Sequence, residues 1–193
     1  MDRYHIALYI HLLAFVVAAG ASAVTKVAVT RRARARTIGE ALDWHDVLAS
    51  TSKLFPLCLA AFVLTGAWML SYSRPQVWAS GFVVAGLVGV ASLLASGTFL
   101  AVKGRALRRV LVAMSAEGAD RPAPRLVPPP LVVALPPVNT GIALAVAFDM
   151  VTKPASVPLA LGVLVIGAAV FAAGAVRRPA PPPVAARGMA EAR

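Results

Sequence analysis

The chain has 193 residues, 59% of them hydrophobic and only 14% charged, and a mean hydropathy of +0.77. Soluble domains carry roughly 25% charged residues, and a soluble chain this apolar would expose large sticky patches; the composition is that of an integral membrane protein. The formal net charge of +11 sits in clusters between oily runs, which is how membrane topology is written, and no aromatic-interleaved basic surface of a nucleic-acid binder appears.

The first oily run, 4–24, follows a weakly basic start and ends near Ala21–Ala23, a small-residue stretch like a signal-peptidase site. The run is long enough to cross a bilayer, and Lys26 with the Arg31–Arg36 cluster follows at once, so it reads as a retained first span. Its small and polar residues, Tyr4, Ala7, His11, Ala14, Ala18, Ser22 and Thr25, share one side. That side is expected against other helices, because lipid competes equally for oily side chains.

Residues 37–50 open with Thr37 and Glu40 in a capping-box pattern. Ile38, Ala41, Leu42, His45, Leu48 and Ala49 then share one face, which predicts a short amphipathic helix. Two placements follow: on the cytoplasmic membrane surface with Trp44 near the headgroups, or in a loop away from lipid. Further spans are predicted at 54–72, 79–101, 131–151 and 157–176. The second carries Cys58, Ala61, Thr65, Trp68 and Tyr72 at helical spacing, and the third a Gly81, Ala85, Gly89 ladder. The fourth contains Pro136 and Pro137. A helix starting at Pro137 would cover only about 22 Å, short for a bilayer. A proline-rich, extended or disordered tail is expected at 179–193.

Five spans with the N-terminus outside put sixteen of the nineteen basic residues in the cytoplasm. Arg3, Arg74 and Lys153 remain outside. The expected fold is thus all-α, one membrane bundle of five helices over 1–178, with a cytoplasmic C-terminus.

His11 is the leading candidate site residue. An ionisable group about 10 Å inside the first span is costly and suggests function. Neutral imidazole can ligate haem iron or copper or relay a proton. The plainer reading is a neutral histidine bonded to Ser, Thr or a carbonyl of another span. His5 is about 120° away around the same helix and reads as interfacial, while His45 is at the wrong depth to join His11. Asp149 and Lys153 are four residues apart near the outer end of span four. Lys153 precedes Pro154, which pushes it out of helical geometry, so the pair reads as an exposed or interfacial turn. Alternatively, Asp149 is an outer-side polar partner of His5 or His11. No P-loop, HExxH or nucleophile-elbow pattern is present.

The span-one phrase IHLLAFVVAAG and the late phrase FDMVTKP together resemble a group of small bacterial integral membrane proteins. These are distantly similar to copper-resistance membrane domains and to haem-associated, protoporphyrinogen-oxidase-type membrane proteins. The resemblance implies a helical bundle in the bacterial inner (plasma) membrane, with His11 as the candidate haem or copper ligand. The leading expectation is a non-catalytic accessory or interaction protein of the bilayer, with a membrane-protein partner or a second copy of itself. A haem- or copper-handling protein and a small proton-coupled transporter are the alternatives.

Overall fold

The computed structural model describes residues 3–73, 75–124 and 128–176; the tail expected at 179–193 lies outside them. The described chain is all-α, with no strand: α1 (Arg3–Ala33), α2 (Ile38–Ser52), α3 (Leu54–Ser71), a 3-10 turn (Pro75–Ala79), α4 (Gly81–Ala116), α5 (Pro130–Thr152) and α6 (Val157–Val176). Five helical stretches are long and apolar enough to cross a membrane: α1, α3 with its α2 lead-in, α4, α5 and α6.

Two of them are much longer than the spans expected from the sequence. α1 has 31 residues and α4 has 36, about 46 and 54 Å against a hydrocarbon layer of about 30 Å. No proline interrupts either helix, so each continues beyond its oily run into residues rich in Lys and Arg. α4 stops where Gly118 adopts φ +150°, a conformation L side chains rarely tolerate. α5 settles the question over the fourth span. It begins at Pro130, where a missing amide costs nothing, and runs through Pro136 and Pro137 for 23 residues, about 34 Å.

α2 and α3 are separated only by Lys53, whose backbone is still right-handed helical (φ −66°, ψ −20°). Pro56 explains the break. It has no N–H to give the Ser52 carbonyl, and its ring crowds that turn. The register across the break is continuous. His11 of α1 meets Thr65 of α3, and Arg32 of α1 meets His45 of α2. Moving up one helix by 21 residues moves down the other by 20, so α1 lies antiparallel to α3 and then to α2. The buried face of α2, Ile38, Ala41 and His45, is the face predicted from its periodicity. It packs on α1 and α4.

Small residues set the contacts. Ala7, Ala14, Ala21 and Ala28 are the buried residues of α1, and Cys58 and Thr65 those of α3. The seven-residue spacing of these residues on both helices keeps small side chains facing one another along the seam. The other helices form a triple. Ala85 of α4, Ala145 of α5, and Ala160 and Leu164 of α6 make its core. Gly89 lies against Val146 and Ile142, and Gly141 and Gly167 bring the backbones of α5 and α6 together. Ser96 of α4 donates to Asn139 Oδ1 of α5 at 2.9 Å. At the end away from the basic residues, the α5–α6 turn closes over the start of α4. The amides of Gly81 and Phe82 bond the carbonyls of Ala155 and Pro154 at 3.0 and 3.1 Å.

A Cβ on Gly141 would run into the Gly167 backbone, whereas one on Gly162 meets nothing within 4 Å. Gly141→Ala should therefore cost about 1–3 kcal/mol through overpacking. Gly162→Ala should be neutral or stabilise by less than about 1 kcal/mol through helix propensity. Reversible unfolding in detergent micelles measures both.

Candidate functional site

Three polar groups stand out where the helices meet: His11 with Thr65, Asp149, and the cluster around His45. The first lies in the oily part of the α1–α3 seam. His11 Nδ1 is 2.8 Å from Thr65 Oγ1. The Thr65 hydroxyl is also 2.6 Å from the Ala61 carbonyl, which can only accept. Thr65 has a single proton to give. It goes to Ala61, so Nδ1–H of His11 donates to Thr65. The Phe62 ring stands edge-on to the imidazole at 4.8 Å, and Gly66 leaves room beside Cε1. This is the arrangement of a histidine bonded to a hydroxyl of another span.

A haem or copper centre asks more of the site. One imidazole is present, with the Phe62 ring packed at right angles to it, and no group of three or more His, Cys, Asp or Glu side chains is gathered among the described residues. Copper(I) would favour several soft ligands and a haem a flat slot beside Nε2. With no such group of side chains beside it, His11 alone does not make a copper centre.

Asp149 is in the last turn of α5, as its sequence position suggests, but it is not exposed. It is 1% accessible, and neither carboxyl oxygen has a hydrogen-bond partner among the described residues. The reason is periodicity: Gly141, Ala145 and Asp149 form the buried stripe of α5, and α5 packs on α4 and α6. Lys153 belongs to the exposed side. Its backbone is left-handed (φ 47°, ψ 53°) and its amide caps the Asp149 carbonyl at 2.8 Å. The two side chains form no ion pair. His5 is exposed beside the Tyr4 ring, and α1 packs on α2 and α3; neither His5 nor His11 hydrogen-bonds the Asp149 carboxyl. An unsatisfied buried polar group costs about 1–3 kcal/mol, more when charged. Asp149 is thus kept against a stability cost.

His45 is the residue that sequence reasoning undervalued. It is 3% exposed and accepts a hydrogen bond on Nδ1 from Arg32 Nη1 at 2.9 Å. The Gly104 stretch of α4 lies against its ring. One turn of charge beside it, Arg108 of α4 grips Asp46 of α2 through two nitrogens, at 2.7 and 3.3 Å. That bond holds the Asp46 carboxyl below its usual range, although the pair is half exposed and stabilises little. The start of α2 is also sewn to the segment after α4: the Ile38 and Gly39 amides bond the Arg121 and Ala119 carbonyls, and the Ala123 amide bonds the Arg36 carbonyl.

Thr65→Val removes the acceptor of His11 while keeping the shape. It should cost about 0.5–1.5 kcal/mol and free the ring to take the Nε2–H tautomer, visible in imidazole 15N shifts. Asp149→Asn should leave stability unchanged or raised in thermal unfolding, because no partner is lost. The chain matches no known family model, no curated protein and no solved structure.

Proposed function

We propose that this chain is a five-span protein of the bacterial inner membrane. Its N-terminus lies outside, its C-terminus lies in the cytoplasm, and it serves as a non-catalytic accessory or interaction protein. The observation that carries this reading is the packed three-helix stub. The ends of α1 and α4 run beyond their oily stretches and enclose α2. This stub carries Lys26, Arg31, Arg32, Arg34, Arg36, Lys103, Arg105, Arg108 and Arg109. Such a concentration of basic residues at one end supports a cytoplasmic placement. Trp68, Tyr72 and Trp78 are exposed at the other end, where an aromatic belt belongs. The stub is joined to the spans without a flexible linker, since α1 and α4 are continuous helices. Its outer side along α4, with Lys103, Arg105 and Arg109 exposed beside Val102, Ala106 and Val110, offers a basic surface to an acidic partner.

A second reading, proton coupling, is favoured by one specific observation, the buried and unpartnered carboxyl of Asp149. An ionisable group buried in a membrane bundle points to a functional site, proton relays among them.

A photo-crosslinker at Ala106 should capture a discrete partner in cells, and Arg105→Glu with Arg109→Glu should abolish that product while leaving the fold intact. Crosslinks to lipid alone, from Ala106 and from the exposed span residue Leu64 alike, would sink the interaction reading. For topology, single cysteines in a Cys58→Ser background at Ser156 and Glu117 should label from the outside and the inside respectively. For the second reading, a proton flux in liposomes abolished by Asp149→Asn is required.

A further inference from the structure

The helices fall into two groups, α1 with α3 and α4 with α5 and α6, and α3 barely touches α4. What joins the groups is α2, held to α1 by Arg32–His45, to α4 by Asp46–Arg108 and the Gly104 contact, and at its first turn to the segment after α4 by backbone bonds. His45 is therefore a buried titratable ring at the only three-helix junction between them among the described residues.

The charges facing that ring come from each element packed on it. Arg32 approaches from α1, Arg108 from α4, and Asp46 is next to it on α2; the Gly104 backbone lies on the α4 side. Asp46 is the one counter-charge, and Arg108 already occupies both of its oxygens. The present bond requires a bare Nδ1, because the Arg32 guanidinium can only donate. A proton taken from solvent onto Nδ1 changes this completely. An N–H then faces an N–H, and a buried imidazolium lies against the Arg32 guanidinium, with the Arg108–Asp46 pair beside it on the α4 side.

We propose that His45 is a proton-operated latch: with a neutral ring it clamps α1, α2 and α4 together, and on protonation it expels Arg32 and frees the Arg32 end of α1 from α2 and α4. The latch does not depend on which partner the stub meets.

Burial foremost, and then Arg32, lower the proton affinity of His45 below the ordinary histidine value of 6.5. The unfolded chain thus binds more protons than the folded one just below pH 6.5. The neutral latch contributes fully above that pH, and its contribution is lost as pH falls from 6.5 toward the folded-state value. Cytoplasmic acidification is the trigger this sign demands.

Spin labels at Ala33→Cys and Ala106→Cys, both exposed, in a full-length Cys58→Ser chain in nanodiscs, read the separation of α1 and α4. One narrow distance is expected at pH 8, and a longer, broader distribution at pH 5.5. His45→Gln, whose carbonyl oxygen can still accept from Arg32 without titrating, should stay narrow at both. His45→Arg should be open at both, and if it fails to fold the comparison of wild type with His45→Gln still decides. Identical wild-type distances at the two pH values, or a pH response that survives His45→Gln, would overturn the latch.

Discussion

Close approach of backbones is the constraint on which this structure depends. Between helices in lipid there is little hydrophobic gain from pairing oily side chains, since lipid tails are equally oily. Attraction must come from dense van der Waals contact and from a few polar bonds. The chain meets this with alanine every seventh residue in α1, with the Gly141–Gly167 crossing of α5 and α6, and with single polar pairs at two seams, His11–Thr65 and Ser96–Asn139. The exposed residues of the same helices, such as Tyr9, Leu57, Leu64 and Val165, are large and oily because they face outward. The same sorting decides where ionisable groups can sit. His11 occupies the small-residue stripe of α1 and Asp149 that of α5, so both are directed inward by the periodicity that packs the helices.

Two prolines show how local chemistry shapes the whole. Pro56 breaks a helix that would otherwise run without pause from Ile38 to Ser71, yet the antiparallel register with α1 survives the break. The α2 segment can then lean toward α4 while α3 stays with α1. Pro154 acts differently. It follows Lys153, whose left-handed backbone ends α5, and its carbonyl closes over the first amides of α4. The far end of the α4–α6 group is thereby tied by backbone bonds, while the join between the two groups rests on side chains of α2 and on the segment after α4.

How far the sequence reveals this follows the physical origin of each feature. The all-α class and five apolar helices were legible because they depend on long runs of oily residues. The inward side of α1 was legible from the spacing of Ala7, His11 and Ala14, and the packing face of α2 from Ile38, Ala41 and His45. Helix ends were less so: α1 and α4 continue through Lys and Arg because those residues are good helix formers, so a hydropathy boundary was not a structural one. α5 likewise kept its helix through Pro136 and Pro137, since neighbouring helices let spans tolerate such interruptions. Asp149 lies in the last turn of α5, as its sequence position suggests, but it is buried rather than exposed. Four-residue spacing to Lys153 suggested a surface pair, whereas the stripe through Gly141 and Ala145 turns Asp149 inward.

The His45 cluster was hidden for a different reason. It is assembled from Arg32, His45 and Arg108, residues of three elements whose adjacency no local pattern encodes. Each taken alone looks like an ordinary member of a basic, solvated segment. Brought together, they make a junction in which one proton decides whether the Arg32 guanidinium and the imidazole stay bonded. Asp149 is enclosed within the α4–α6 group, and His11 lies in the seam of the α1–α3 pair, so both sit in parts that the latch leaves internally intact. Any coupling of those two residues to the stub must therefore act through the relative placement of the two helix groups, and α2 is the element positioned to set it.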